Sequence, residues 1–269
     1  IVEGIVGIKQ WEVTVTGFTG GATGRVVQDQ LTGVPGVVDA LLPVSGPTRR
    51  TIAVVDERTG DTTQLNEPGP TVTPAEWSAY QEAYDDLLAS ASVVALCGSL
   101  PPGVPVGAYA GLVRSAKAAE VPVLLDTSGE ALRRGVAARP DIIKPNADEL
   151  AELTGSHDPL RATQDARRRG ARTVVASLGE SGLLAVTPEG RWQATPPTRL
   201  HGNPTGAGDA AVAGLLSGLV EKLPWPDRLT RATALSAATV VSPTAGEFDR
   251  AAYEEFLHRV AVTAEVTAA

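Results

Sequence analysis

Residues 202–219 read GNPTGAGDAAVAGLLSGL, and Gly206, Ala207 and Gly208 precede Asp209 where an apolar helical run begins. The start of a helix leaves backbone N–H groups without intrahelical acceptors, and together with the positive end of the helix dipole they bind anions. A carboxylate beside such a cradle would repel a passively held anion. Asp209 makes chemical sense as a base that takes a proton from a hydroxyl attacking a phosphorus held there, while the cradle stabilises the charge on the transferred group. The alternative is a glycine-rich turn with Asp209 merely favourable in the first helical turn. No G-x-x-x-x-G-K-[ST] run is present, and GAGDAAVAG does not fit the G-x-G-x-x-G spacing of dinucleotide folds.

Three further clusters stand at the ends of apolar runs. In DIIKPNADEL, Lys144, Pro145 and Asn146 lead into a helix carrying Glu149. The three-residue spacing puts the oxygens of Asn146 and Glu149 on one face of the first turn. They are either ligands suited to Mg²⁺ or a helix cap with its capping-box partner. In VVASLGESG a run ends at Ser177, followed by Gly179 and Gly182, a turn that can admit a nucleotide or simply connect two strands. In CGSLPPG, Gly98 and Ser99 offer approachable backbone and a hydroxyl, or form a proline-stiffened turn. Four such clusters in one chain weigh more than any one of them.

The elements that must position them follow from hydrophobic period. From about residue 92, short apolar runs alternate with amphipathic helical stretches, which predicts parallel strands with crossovers and a three-layer α/β/α sheet. GLLAVT and RWQAT predict a hairpin around Pro188, Glu189 and Gly190, and helical segments follow from about 207, 226 and 250. Earlier, TIAVVDERTGDTTQL predicts a hairpin turning at Arg58 to Asp61. Thr73, Pro74 and Glu76 announce a helix through a cap, a first-turn proline and a capping box. The main domain begins near that helix or recruits WEVTVTGFTGG as an earlier strand.

Composition narrows the function classes. With 269 residues, 43% of them hydrophobic, the chain can bury a large core. Net charge is −8, and ARRRG at 166–170 is the only basic run, which argues against nucleic acid as a partner. The single cysteine, Cys97, excludes an internal disulfide and fits a reducing, cytoplasmic setting. No apolar stretch reaches the roughly 20 residues needed to span a bilayer, and a soluble chain without a leader is expected.

Taken in order, TGFTGGATG, TRRTIAVVDERTGDTTQLNEPGP, CGSLPPGVP, LLDTSGEAL, IIKPNADELAELTG, VVASLGESGLLAV and GNPTGAGDAAVAG resemble the ribokinase-like carbohydrate kinases of the phosphofructokinase-B type. Within them the match is to the hexose-phosphate branch of fructose-1-phosphate and tagatose-6-phosphate kinases, over about residues 12 to 247. The resemblance implies one kinase domain over 1–269, with a β-hairpin lid from about 45–70 that pairs across a homodimer. It implies an ATP-dependent kinase with Asp209 as base and contacting the substrate, and Gly206, Ala207 and Gly208 as anion hole. Lys144, Asn146, Ser177, Gly179 and Gly182 would line the ATP site, and Asn146 and Glu149 would stand near Mg²⁺. Arg49, Gly98 and Ser99 would hold a sugar phosphate, the planar guanidinium gripping phosphate oxygens. Fructose 1-phosphate is the expected substrate. Tagatose 6-phosphate or fructose 6-phosphate follows, then an unphosphorylated sugar or nucleoside, then a silent sugar-phosphate sensor.

The chain departs from this pattern in places. An early strand with a sugar-contacting aspartate and a GGKG-like loop do not occur in IVEGIVGIKQW, and the chain holds no methionine. Both are expected to reflect residues omitted from this chain. Cys97 replaces a more usual serine, Thr51 a polar amide, and Ala210 a frequent serine. These changes bear on the substrate half and leave the nucleotide half intact.

Overall fold

The computed structural model describes residues 1, 5, 11–55, 62–200, 202–244 and 246–265. They divide into two compact units, one of residues 11–86 and 100–105, the other of residues 1–10, 87–99 and 106–269.

The smaller unit opens with a crossover that sequence period did not announce. Strands β1 (Val13–Thr19) and β2 (Val37–Pro43) pair in parallel, from Val13 opposite Val37 to Thr19 opposite Pro43, and α1 (Gly21–Thr32) joins them. Helix α1 starts at Gly20 without a side-chain cap and leaves Val26 and Val27 exposed, so neither a cap nor an apolar face marks it in the sequence. The anticipated hairpin is β3 (Thr51–Val55) paired antiparallel with β4 (Thr62–Asn66); its turn at Arg58 to Asp61 lies outside the described residues. It is one part of a unit that also holds β1, α1, β2 and most of α2 (Pro74–Leu88). WEVTVTGFTGG therefore supplies its strand to this unit and not to the larger sheet.

Helix α2 begins as its sequence says. Thr73 Oγ1 accepts from Glu76 N at 3.2 Å, and Glu76 Oε2 accepts from Thr73 N at 2.7 Å. The other carboxylate oxygen accepts from Ser45 N at 2.8 Å. These bonds to the ionised form hold the Glu76 carboxyl down to about 2. Phe18 of β1 packs against Tyr80 of α2, with ring centroids 4.9 Å apart, and Trp77 stacks on Tyr80 at 5.5 Å.

The larger unit is one seven-stranded sheet laid out in chain order: β5 (Val94–Cys97), β6 (Val123–Asp126), β7 (Ile142–Ile143), β8 (Thr173–Ser177), β9 (Leu183–Val186), β10 (Arg191–Thr195) and β11 (Ala261–Glu265). Strands β5 to β8 are parallel, and β8 to β11 are antiparallel. The inner strands are buried along almost their whole length, as expected for strands covered on both faces. Helices α3 (Ala108–Ala118), α4 (Gly129–Ala137), α5 (Ala147–Thr154) and α6 (Pro159–Arg169) pack on one another in sequence. So do α7 (Ala207–Val220), α8 (Trp225–Val240) and α9 (Arg250–Leu257). The three-layer α/β/α class follows. The β9–β10 hairpin closes where expected, Thr187 N donating to Gly190 O at 3.0 Å. Among the described residues no helix is long and apolar enough to cross a membrane.

Helix α7 is buried from Ala210 through Gly218, an apolar rod held against α8. A Cβ built on Gly214 would stand 2.5 Å from Ala232 Cα, so the two backbones touch where only hydrogen fits. Replacing Gly214 by Ala is expected to force the helices apart and cost about 2 kcal/mol, as overpacking does. Urea unfolding measures it; an unchanged midpoint would contradict the contact.

Candidate active site

The carboxyl ends of the parallel strands are tied together by main-chain and hydroxyl bonds. Gly98 N donates to Asp126 O at 2.9 Å, and Thr127 Oγ1 donates to Gly98 O at 2.8 Å, joining the ends of β5 and β6. Tyr109 of α3 donates its hydroxyl to Cys97 O at 2.8 Å. Lys144 N donates to Leu125 O at 3.1 Å, and Ser177 N donates to Pro145 O at 3.0 Å. Asn146 and Ser177 form an isolated parallel bridge. Gly98, Ser99, Lys144, Asn146 and Ser177, read separately in the sequence, thus share one edge of one sheet, where open α/β sheets bind ligands.

The start of α7 joins this edge through Lys144. Gly206 caps the helix in the left-handed conformation, φ +90°, with no side-chain cap. A Cβ there would lie 2.8 Å from Gly246 Cα, so glycine is required by both conformation and space. Asn203 Oδ1 accepts from Thr205 N at 2.9 Å, and Ala210 N donates to Gly206 O at 2.8 Å, fixing the turn. A Cβ built on Gly208 would stand 3.5 Å from Lys144 Nζ. Lys144 Nζ therefore lies beside the first turn of the helix, and Asp209 on the same turn is exposed. Of the three expected cradle residues, Ala207 has its N–H already engaged, donating to Pro204 O at 3.1 Å.

Lys144 is buried, 5% of its side chain exposed, and its Nζ lies 3.2 Å from Asp126 Oδ2. Burial pushes the Asp126 carboxyl up to about 6; Lys144 opposes that shift, while Glu149 and Asp209 add to it. Burial, then Asp126 and Asp209, push the Cys97 thiol up to about 12. Glu149 and Asp209 thus add negative charge around the Lys144–Asp126 pair.

Asn146 and Glu149 form the capping box that their spacing allowed: Asn146 Oδ1 accepts from Glu149 N and Glu149 Oε2 from Asn146 N, both at 2.8 Å. Past Ser177 the chain makes a short turn over Gly179–Ser181. Gly182, at φ +82°, passes so near Ala194 that a Cβ would meet its carbonyl oxygen at 2.0 Å. Nothing stands within 4 Å of the corresponding position on Gly179. Arg49 belongs to the smaller unit, where its Nη1 donates to Glu67 O at 3.5 Å.

The residue that sequence reasoning passed over is Asp126. It lies inside the quoted LLDTSGEAL, and the signal was available: a carboxylate ending a buried strand, with its backbone partner Cys97 already in a candidate cluster.

A family model described as pfkB family carbohydrate kinase matches residues 9–251. A 1-phosphofructokinase from Rhodobacter capsulatus is 37% identical over 230 residues, 83% of this chain and 72% of that protein. Phosphofructokinase-2 from Escherichia coli, solved in complex with potassium, superposes with a TM-score of 0.85 at 26% identity, covering 96% of this chain and 85% of that one. Ribokinase from Arabidopsis thaliana, complexed with ribose and ATP, gives a TM-score of 0.74 at 21% identity over 94% of this chain and 84% of that one, a likeness of fold alone.

Because the folded protein holds the Asp126 proton more tightly than the unfolded chain, this group favours folding most below about pH 4, and that contribution is lost as pH rises through about 6. Asp126→Asn removes the dependence. Between these limits the wild type should lose on the order of 2 kcal/mol relative to the variant in urea titrations; parallel pH profiles would contradict the assignment.

Proposed function

The chain belongs to the pfkB family of carbohydrate kinases, and from that premise we propose that it moves the γ-phosphoryl group of ATP onto a hydroxyl of fructose 1-phosphate, giving fructose 1,6-bisphosphate and ADP. The observation that carries the reading is the meeting of Lys144 Nζ, the α7 amides and Asp209 at one helix start. The 1-phosphofructokinase relative supports the choice of sugar.

In this reading Asp209 accepts the hydroxyl proton as the sugar oxygen bonds to the γ-phosphorus and the bond to the leaving ADP oxygen breaks. The amides of Gly206 and Gly208, with Lys144, take up the negative charge on the moving group, while Ala207, whose N–H donates to Pro204 O, shapes the turn. Ser177, Gly179, Gly182 and Asn146 line the nucleotide, Gly98 and Ser99 face the sugar, and Arg49 grips the phosphate that the sugar already carries.

Mg²⁺ is part of the proposal, and the oxygen donors of Asn146 and Glu149 are of the type that it takes. Hard oxygens outnumber the single ammonium, and a polyphosphate would add further negative charge to Asp126, Glu149 and Asp209. Asn146 and Glu149 would hold the ion, the carboxylate through the oxygen not used in the capping box. When bound, it supplies charge neutralisation for the triphosphate.

A homodimer through the hairpin is part of the proposal. Ile52 and Val54 of β3 are 55% and 52% exposed, and Leu65, opposite Ile52, is 55% exposed. An apolar row on a two-stranded ribbon invites pairing with a copy of itself. The single, half-buried cysteine supports a cytoplasmic setting.

Coupled ADP release over a panel of sugar phosphates tests the activity. Asp209→Asn is expected to cut kcat by about 10³-fold while leaving the KM for ATP nearly unchanged; undiminished turnover would remove Asp209 as base. Sedimentation tests the assembly: the double variant Ile52→Lys and Leu65→Lys should be monomeric, and a persisting dimer would place the interface elsewhere.

A further inference from the structure

Arg49 stands between two residues that the structure ties down separately. On its amino side, Thr48 N donates to Gly20 O at 2.8 Å, Thr48 Oγ1 accepts from Gly20 N at 3.0 Å, and Thr48 O accepts from Thr23 Oγ1 at 2.6 Å. These bonds fasten it to the start of α1. On its carboxyl side, Arg50 is fastened to one residue, Glu67. Arg50 N donates to Glu67 Oε2 at 2.9 Å, its Nη2 donates to Oε1 at 3.0 Å, and its carbonyl accepts from Glu67 N at 3.1 Å. The Glu67 carbonyl in turn accepts from Arg49 Nη1, and the Arg49 stem runs past Gly69, whose built Cβ would lie 3.6 Å from it.

The β3–β4 ladder starts immediately outside this clamp, with Thr51 opposite Asn66 and their side chains bonded at 2.9 Å. Glu67 thus locks both the backbone and the guanidinium of Arg50 across the base of the hairpin. The bonds from Arg50 hold its carboxyl below the usual carboxylate range, so it is ionised at neutral pH.

Resting on the reading that Arg49 grips the sugar's existing phosphate, we propose that Glu67 is a positioning residue for that grip: by clamping Arg50 it fixes the backbone from which the Arg49 guanidinium is aimed. A long side chain anchored to a loose backbone loses more freedom on gripping phosphate, and the loss appears as weaker substrate binding. The ion pair is largely in water, with Arg50 and Glu67 side chains 68% and 45% exposed, so it adds little to global stability. Its effect should therefore appear at the substrate and not in unfolding.

The test compares Glu67→Ala, Glu67→Gln and Arg49→Ala in the full chain, measuring kcat, the KM for fructose 1-phosphate, the KM for ATP and the urea midpoint. Glu67→Ala should raise the KM for fructose 1-phosphate by about tenfold, with the KM for ATP within about twofold and the midpoint unchanged. Glu67→Gln still accepts from Arg50 N and should recover most of the loss. Arg49→Ala should weaken fructose 1-phosphate at least as much. If Arg49→Ala weakens it and Glu67→Ala does not, the positioning role falls and the phosphate grip stands. A silent Arg49→Ala takes both down. Equal rises in the two KM values for Glu67→Ala, or a lowered midpoint, would show a general structural role and overturn the inference.

Discussion

The ion pair of buried Lys144 with Asp126 joins the ends of β6 and β7 beside the start of α7. Lys144 is buried, its Nζ 3.2 Å from Asp126 Oδ2 and beside Gly208, a position that is costly for such a side chain without a carboxylate partner. The same surroundings hold more negative charge than the lysine cancels. In the proposed reaction a metal nucleotide would bring a cation and an anion to this charge together. Much of the larger unit serves to bring the lysine to that spot: a two-residue strand, Ile142–Ile143, threaded between longer neighbours delivers it at the sheet edge.

The acid and the cradle come from another source, and their placement depends on packing. Asp209 is attached to a helix whose following nine residues are buried. Contact between α7 and α8 at Gly214 leaves that helix little room to slide. A general base must be held within a fraction of an ångström of its proton. For Asp209 in its proposed role, close approach of small residues and a left-handed glycine cap would supply that restraint.

Much of this was legible in the sequence, for different physical reasons at different places. The buried strands, the capping boxes at Thr73 and Asn146 and the β9–β10 hairpin declare themselves through period and local hydrogen-bond chemistry, which need no tertiary context. Asn146 and Glu149 show the limit of such reading: their spacing is that of a capping box, which they form, whether or not they also face a metal. The α1 crossover was missed because glycines open it and valines point outward. Asp126 was missed because its importance lies in a partner eighteen positions on, and only the parallel pairing of β6 with β7 brings Lys144 to it. Nor does β1 stand out from any other apolar run until its partner β2 is known.

Cys97 offers a practical opening. It is the chain's single sulfur-bearing side chain, and partial burial with nearby carboxylates pushes its thiol up, away from the reactive thiolate. Maleimide dyes and spin labels react with thiolates, so the native chain is close to a blank background for them. Cysteines installed on the exposed hairpin could be tagged selectively, giving a direct optical or magnetic readout of that ribbon during turnover without first engineering the native residue away.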